Sequence, residues 1–427
     1  MLSWVSILRL GLAQMSLGAI IVLMTSTLNR IMVVELALPA LVPGLLVGLH
    51  YAMQLSRPGW GHWSDLSRRR TPWIIGGMAV LALGGFLAAL AVAVGAAMPL
   101  PGLVLSVLAY ALIGAGAGAS GTSVLAFLAA STAPHRRAAA ATIIWLMMIF
   151  GIAATAGIVG ALLDPYTPAR LLGIVACVSA GAVVLTTLAL LGLEKGGFAP
   201  AVEARQPLRE GIAEIWAEPQ ARRFTLFVFL SMTAYFMQEL ILEPYAGLVF
   251  GFTPGQSTSL SGAQNGGVFL GMLAVGIAAT GLGIGSLRAW VVGGCVGSAV
   301  TLLGIGLIGP LQVNLILPLT ILLGLCNGVF AVAAIGAMMA LAGQGRTRRE
   351  GTRMGLWGAA QAIAAGVGGL TGAVAVDALR LLLAPELAFA SVFAAEAVLF
   401  LVAALLALRV IDPGRDRHLS ATLVPGE

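Results

Sequence analysis

Charge is scarce in this chain. Only 9% of its 427 residues are Asp, Glu, Lys or Arg, against about 25% in soluble globular proteins. That deficit excludes an ordinary cytosolic fold. Cysteine is scarcer still. Cys177, Cys295 and Cys326 stand far apart inside apolar runs, so the chain offers neither a disulfide framework nor a cysteine-based metal spacing. The sequence lacks the acidic clusters with which a prenyl transferase holds magnesium diphosphate. It has no nucleophile elbow, zinc spacing or nucleotide fingerprint, and its glycine run Gly114-Ala115-Gly116-Ala117-Gly118 has no Lys-Ser/Thr ending to make it a phosphate loop. These absences together predict a protein that is not an enzyme.

What remains is apolar: 59% hydrophobic residues, a mean hydropathy of +1.01 and 56 glycines, and glycine is favoured where membrane helices pack closely. Charges and Gly/Pro punctuation divide the chain into about twelve hydrophobic segments, near 10–30, 42–58, 73–97, 102–131, 139–163, 170–193, 223–249, 260–281, 287–308, 313–341, 353–377 and 387–409. Arg9 is followed by an uncharged run of about 20 residues, the length of a span, so no cleavable leader is expected. Two divisions rest on short signals: Met98-Pro99-Leu100-Pro101-Gly102 in one uncharged stretch, and Gly309-Pro310 with Asn314 in another.

The basic residues set the orientation. With the N-terminus inside, 20 of the 23 fall at one set of segment ends, and only Arg30, Arg170 and Arg380 at the other. The positive-inside rule then predicts cytoplasmic N- and C-termini, which an even number of spans permits. The sequence pI near 9.8 reflects this arrangement, and no nucleic-acid partner is expected. Membrane lipids are.

The longest polar stretch, residues 194–222, contains Pro200, Pro207, Pro219 and an amphipathic piece from Leu208 to Trp216. It reads as a cytoplasmic linker, with a surface helix, between a six-helix half at 1–193 and another at 223–411; residues 412–427 form a cytoplasmic tail. Internal symmetry supports two halves. Gly61 precedes Arg68 by the same seven residues as Gly281 precedes Arg288. Gly114 and Arg136 are spaced like Gly324 and Arg346, and Asp164 and Asp377 end the fifth and eleventh segments. The expected fold is an all-α polytopic membrane protein of about twelve helices in two pseudo-symmetric halves.

The loop Gly61-His62-Trp63-Ser64-Asp65-Leu66-Ser67-Arg68-Arg69-Arg70-Thr71-Pro72 resembles the signature between helices 2 and 3 of major facilitator transporters. Gly61, Asp65, Arg69 and Arg70 fall on its glycine, acidic and basic positions, and Arg68 replaces its second glycine. The resemblance implies a conformational latch, with Asp65 facing a helix N-terminus such as that of helix 11. Its second copy, near 281–288, has Gly285 in place of the acid, which weakens the case for a working transport gate.

A narrower likeness rests on Thr27-Leu28-Asn29-Arg30-Ile31-Met32-Val33-Val34-Glu35-Leu36, Pro39, His50-Tyr51, Ser64-Asp65 and Arg69-Arg70-Thr71-Pro72-Trp73-Ile74. This pattern is similar to the PucC/LhaA family of photosynthetic bacteria, major facilitator relatives implicated in delivering bacteriochlorophyll and assembling light-harvesting complexes. The resemblance implies bacteriochlorophyll as ligand, and antenna polypeptides or bacteriochlorophyll synthase as partners. It also implies an intracytoplasmic photosynthetic membrane as location.

Several polar residues fall inside predicted spans. His50, with Gln54 one turn on, is a candidate ligand to a pigment magnesium; the alternative is a packed, hydrogen-bonded histidine. Glu239 and Glu243 share a helical face, and intramembrane acids mark function by default. They are candidates for proton coupling or for pairing with Arg30; Glu396, in the middle of the twelfth span with no partner near it in sequence, is a further candidate for proton coupling. Asn29, Arg30 and Glu35 lie near the outer end of the first span, where an Arg30–Glu35 or Arg30–Glu239 pair would be structural. Three functions follow: pigment delivery, proton-coupled transport of a small or lipophilic solute, and a scaffold for protein partners alone.

Overall fold

The structure is a computed structural model that describes residues 2–57, 60, 69–133, 136–194, 216–342 and 350–411. Twelve helices lie among them: α1 (Trp4–Val22), α2 (Leu41–Gln54), α3 (Thr71–Gly95), α4 (Pro99–Ser131), α5 (Arg137–Leu163), α6 (Pro168–Leu190), α7 (Pro219–Phe250), α8 (Pro254–Val275), α9 (Leu287–Ile308), α10 (Ile316–Ala342), α11 (Glu350–Arg380) and α12 (Pro385–Val410). Two wide π-helical turns, Leu23–Leu28 and Ile31–Glu35, carry α1 past the expected end of the first span. Eleven helical stretches are long and apolar enough to cross a membrane, so this is a multi-pass membrane protein. The exception is α2, where 42–58 is the expected span. Its 14 residues rise only about 21 Å, short of a hydrocarbon core of about 30 Å.

Local chemistry starts these helices where they start. Proline occupies the first turn of α3, α4, α6 and α12, where its missing N–H is harmless. Ser3, Thr167 and Ser286 accept backbone N–H groups at the starts of α1, α6 and α9. Thr253 and Gln256 form a reciprocal capping box before α8: Thr253 N–H donates to Gln256 Oε1 at 3.0 Å, and Gln256 N–H to Thr253 Oγ1 at 3.2 Å.

The helices gather into two compact units that interleave along the chain. One takes in 1–202, 239–265 and 369–382; the other takes in 203–238, 266–368 and 383–427. In the first unit, α3 packs on α4 and α6, α1 on α5 and α6, and α2 on α4. Leu17, Met24, Leu81, Ile113 and Tyr110 fill its core. In the second, α9 packs on α10 and α12, repeating the α3 contacts six helices later. Its interior is aromatic: the Phe224 ring lies 4.8 Å from Trp357, and Phe330 lies 6.3 Å from Phe227 and 6.1 Å from Phe400.

Glycine sets how closely these helices approach. A Cβ on Gly77 would stand 2.6 Å from Ser120 N across the α3–α4 seam, and one on Gly294 would stand 2.6 Å from Phe330 N across α9–α10. The Gly114–Gly118 run packs closely on two sides: Gly114 abuts the His50 carbonyl of α2, and Gly116 abuts Leu81 of α3.

Candidate functional site

The site grows from the wide turns of α1. Thr25, Ser26, Thr27, Asn29 and Arg30 are all buried there, although such residues favour water or caps. Their partners come from α7 and α8 in the same compact unit. Asn29 Nδ2 donates to Leu240 O at 2.8 Å. That carbonyl is the one Pro244 leaves unpaired, because Pro244 lies inside α7 and has no N–H to return to the residue four before it. Asn29 therefore completes the ladder of a neighbouring helix, as a membrane interior requires.

Arg30 NH1 pairs with Glu35, and Arg30 NH2 donates to Phe252 O at 2.5 Å. The buried Glu243 carboxyl sits among Ser26, Ser261 and the Arg30 charge. Glu239, half-buried, faces Thr25, and Thr258 Oγ1 lies 3.3 Å from Thr27 Oγ1. Tyr166, in the α5–α6 connection, has its phenol pushed up by burial and then by the Glu35 charge, so it stays neutral. Arg30 Nε, Glu243 Oε2 and Ser26 Oγ have no hydrogen-bond partner among the described residues. The seam thus holds one cation, several carboxylates and an unused donor beside an unused acceptor. That chemistry suits binding a polar group or carrying a proton.

His50 is fully buried on α2. Gln54 takes a guanidinium N–H of Arg57 on its oxygen, which turns its nitrogen toward His50 Nε2 at 2.7 Å. Nε2 is then the acceptor and Nδ1 carries the hydrogen, without a partner among the described residues. A pigment magnesium needs a free ring lone pair and room for a macrocycle. Here the lone pair is engaged and the adjoining backbone is packed against Gly114, so these residues do not fit a pigment ligand in this conformation.

Glu396, on α12 of the other unit, is fully buried, and neither carboxylate oxygen has a partner among the described residues. In that unit Ser298 Oγ donates to Asn327 Oδ1 at 2.7 Å. Of the latch loop, Gly61 and Asp65 lie outside the described residues, as do most of the linker and the tail. Arg69 is exposed. Arg70 is tied down: its N–H and that of Thr71 donate to Glu194 at 2.8 and 3.0 Å, and its guanidinium reaches Ala126 O.

Three carboxylates that composition alone does not single out prove to be helix caps. Besides Glu194 on α3, Asp164 accepts Gly255 N–H at 3.0 Å and the Thr253 hydroxyl at the start of α8. Asp377 accepts Ala40 N–H at 3.0 Å and Leu41 N–H at 2.8 Å at the start of α2. The matched ends of segments five and eleven were the signal available in the sequence.

Residues 27–414 match the profile of the PUCC protein family. The chain belongs to the PucC family. It is 64% identical, over the whole of both chains, to a Rhodobacter capsulatus protein named "Bacteriochlorophyll synthase 44.5 kDa chain". It is also 30% identical to a protein named PucC from Rhodobacter capsulatus, over 96% of this chain and 92% of that one. The PucC-family chain shares its fold with transporters: a proton-dependent oligopeptide transporter (TM-score 0.72, 14% identity, 97% of this chain and 99% of that one) and the nucleoside transporter NupG (TM-score 0.69, 13% identity, 95% and 100%). At such identities the likeness speaks for the fold, the major facilitator fold, and for that alone. Family and relatives tie the chain to photosynthesis.

Proposed function

We propose that the chain is a membrane assembly factor that takes up bacteriochlorophyll, or a late precursor, and hands it to light-harvesting polypeptides. One observation carries this reading: 64% identity across both full lengths to a relative named for bacteriochlorophyll synthesis. The word "synthase" in that name need not mean catalysis, and we infer a non-enzymatic role, with the synthase or antenna polypeptides as partners. The pigment is amphipathic with a long isoprenoid tail, so entry sideways from lipid between helices suits it. The polar edge of its ring carries carbonyls. The unused Arg30 Nε donor beside Glu243 is a better match for them than His50 is for the magnesium. The basic-residue distribution supports cytoplasmic termini in an intracytoplasmic photosynthetic membrane, with halves 1–193 and 223–411 as the repeating units.

A second reading, proton-coupled transport, is favoured by one observation: Glu243 and Glu396 are buried acids with unpartnered oxygens. Purification in mild detergent from pigment-making cells separates the two. Pigment delivery requires a near-infrared band at about one pigment per chain, weakened by Arg30→Met and retained in His50→Ala. A colourless protein that drives proton-dependent uptake into vesicles would replace the first reading with the second.

A further inference from the structure

Asp164 and Asp377 occupy equivalent places six helices apart, and each reaches a helix of the opposite repeat. Asp164 follows α5 and caps α8; Asp377 closes α11 and caps α2. The exchange is reciprocal, as a pseudo-two-fold relation between repeats demands: the fifth helix meets the second of the other repeat, and the eleventh meets the second of the first. Both caps lie within one compact unit.

The seams beneath the caps are built for contact without spacers. On the α5–α8 side, a Cβ on Gly262 would stand 2.7 Å from Gly157 N, and one on Gly160 would stand 2.6 Å from Ser259 N. On the α2–α11 side, a Cβ on Gly44 would lie 3.0 Å from the Ala373 Cβ, beside a small cluster of Val33, Ala40 and Ala373. The two caps are not equal. The α8 start keeps its own Thr253–Gln256 box if Asp164 withdraws. The α2 start has Ala40 at the N-cap and no side-chain cap of its own: Val42 N–H turns back to Pro39 O, and the Ala40 and Leu41 N–H groups are left to Asp377.

We propose that Asp164 and Asp377 form a paired latch that holds this end of the bundle closed, and that both caps break when that end opens. The latch rests on the uptake-and-delivery reading above, which requires one end of the bundle to open. A carboxylate suits this task. It satisfies two donors at once, strengthened by the helix dipole, and it is readily rehydrated on release. An apolar seam alone would close without a defined point of release. The sequence likeness put the latch at residues 61–72; this second device sits at the opposite end of α2.

The test is thiol labelling in native membranes of a chain whose three cysteines are replaced and whose Val33 is changed to Cys, with a small membrane-impermeant maleimide. Val33 is 4% exposed, so labelling reports opening. Loss of an N-cap is worth about fivefold in such an equilibrium, and independent sites multiply. Asp164→Ala and Asp377→Ala should each raise the labelling rate about fivefold, Asp377→Ala the more, and the double variant about 25-fold. Glu194→Ala removes a cap of the same chemistry from α3 and should leave the rate unchanged. An unchanged rate in the double variant, or an equal rise in Glu194→Ala, overturns the latch. If the double variant does not fold, an Asp164→Cys/Thr253→Cys pair serves instead. Labelling read at position 33 alone, by peptide mass spectrometry, should slow about fivefold on oxidation of the pair relative to the reduced form, and an equal rate at that position in both forms overturns the latch. Labelling is read without pigment, so a latch that responds in a protein that binds none would sink the functional reading and leave the latch standing.

Discussion

Asn29 on α1 and Pro244 inside α7 meet at one carbonyl, that of Leu240. Asn29→Ala leaves Leu240 O buried with no donor, since Pro244 cannot supply one. An unsatisfied buried carbonyl costs about 1–3 kcal/mol. Interhelical hydrogen bonds in membranes average about 0.6 kcal/mol, because the unfolded helices find other partners. Asn29 is 1% exposed, so truncation also leaves a small void; the expected loss is about 1.5 kcal/mol. Pro244→Ala restores an N–H four residues after Leu240, so in that background Asn29→Ala should cost at least about 0.7 kcal/mol less. The assay is a double-mutant cycle on equilibrium unfolding in mixed micelles of denaturing and mild detergent. Losses that add within about 0.3 kcal/mol would refute the claim that α1 repairs the gap in α7.

Adjacent glycines should respond with opposite sign. Gly77→Ala and Gly294→Ala meet a neighbouring backbone and should lose about 1–3 kcal/mol. Gly76→Ala and Gly293→Ala face open space and should gain up to about 1 kcal/mol from helix propensity; equal effects within a pair would contradict the helix faces described. Arg30→Met should destabilise by about 2 kcal/mol, less than the roughly 3–5 kcal/mol of a fully buried pair because Glu35 is 37% exposed; unfolding midpoints check it. Glu396→Leu removes a carboxyl with no described partner and should leave stability unchanged or higher; a loss above about 1 kcal/mol would show that the carboxyl is held.

The architecture was legible because hydropathy and Gly/Pro punctuation mark spans whatever their partners are. Asn29, Arg30, Glu239 and Glu243 stood out for the same reason, as polar residues where lipid forbids them. Their partnerships were not legible. The pairing of Asn29 with Leu240 depends on two helices far apart in sequence meeting at one level, and nothing local to residue 29 announces Pro244. His50 poses the converse case. A lone histidine in a span invites a ligand role, but the Arg57–Gln54 contact that engages its lone pair is visible only once the side chains are in place. Asp164 and Asp377 were visible as matched segment ends, while the donors they serve, near 253–255 and at 40–41, lie far from them in sequence.

Delivery of pigment to antenna polypeptides can be followed in a reconstituted system. The purified protein, loaded with bacteriochlorophyll and reconstituted in vesicles, is mixed with pigment-free antenna polypeptides while near-infrared absorption is followed. The band of the loaded protein should shift to that of the assembled antenna faster than from pigment in protein-free vesicles, and more slowly for Arg30→Met. A protein that binds no pigment, or transfer no faster than from lipid alone, would contradict it.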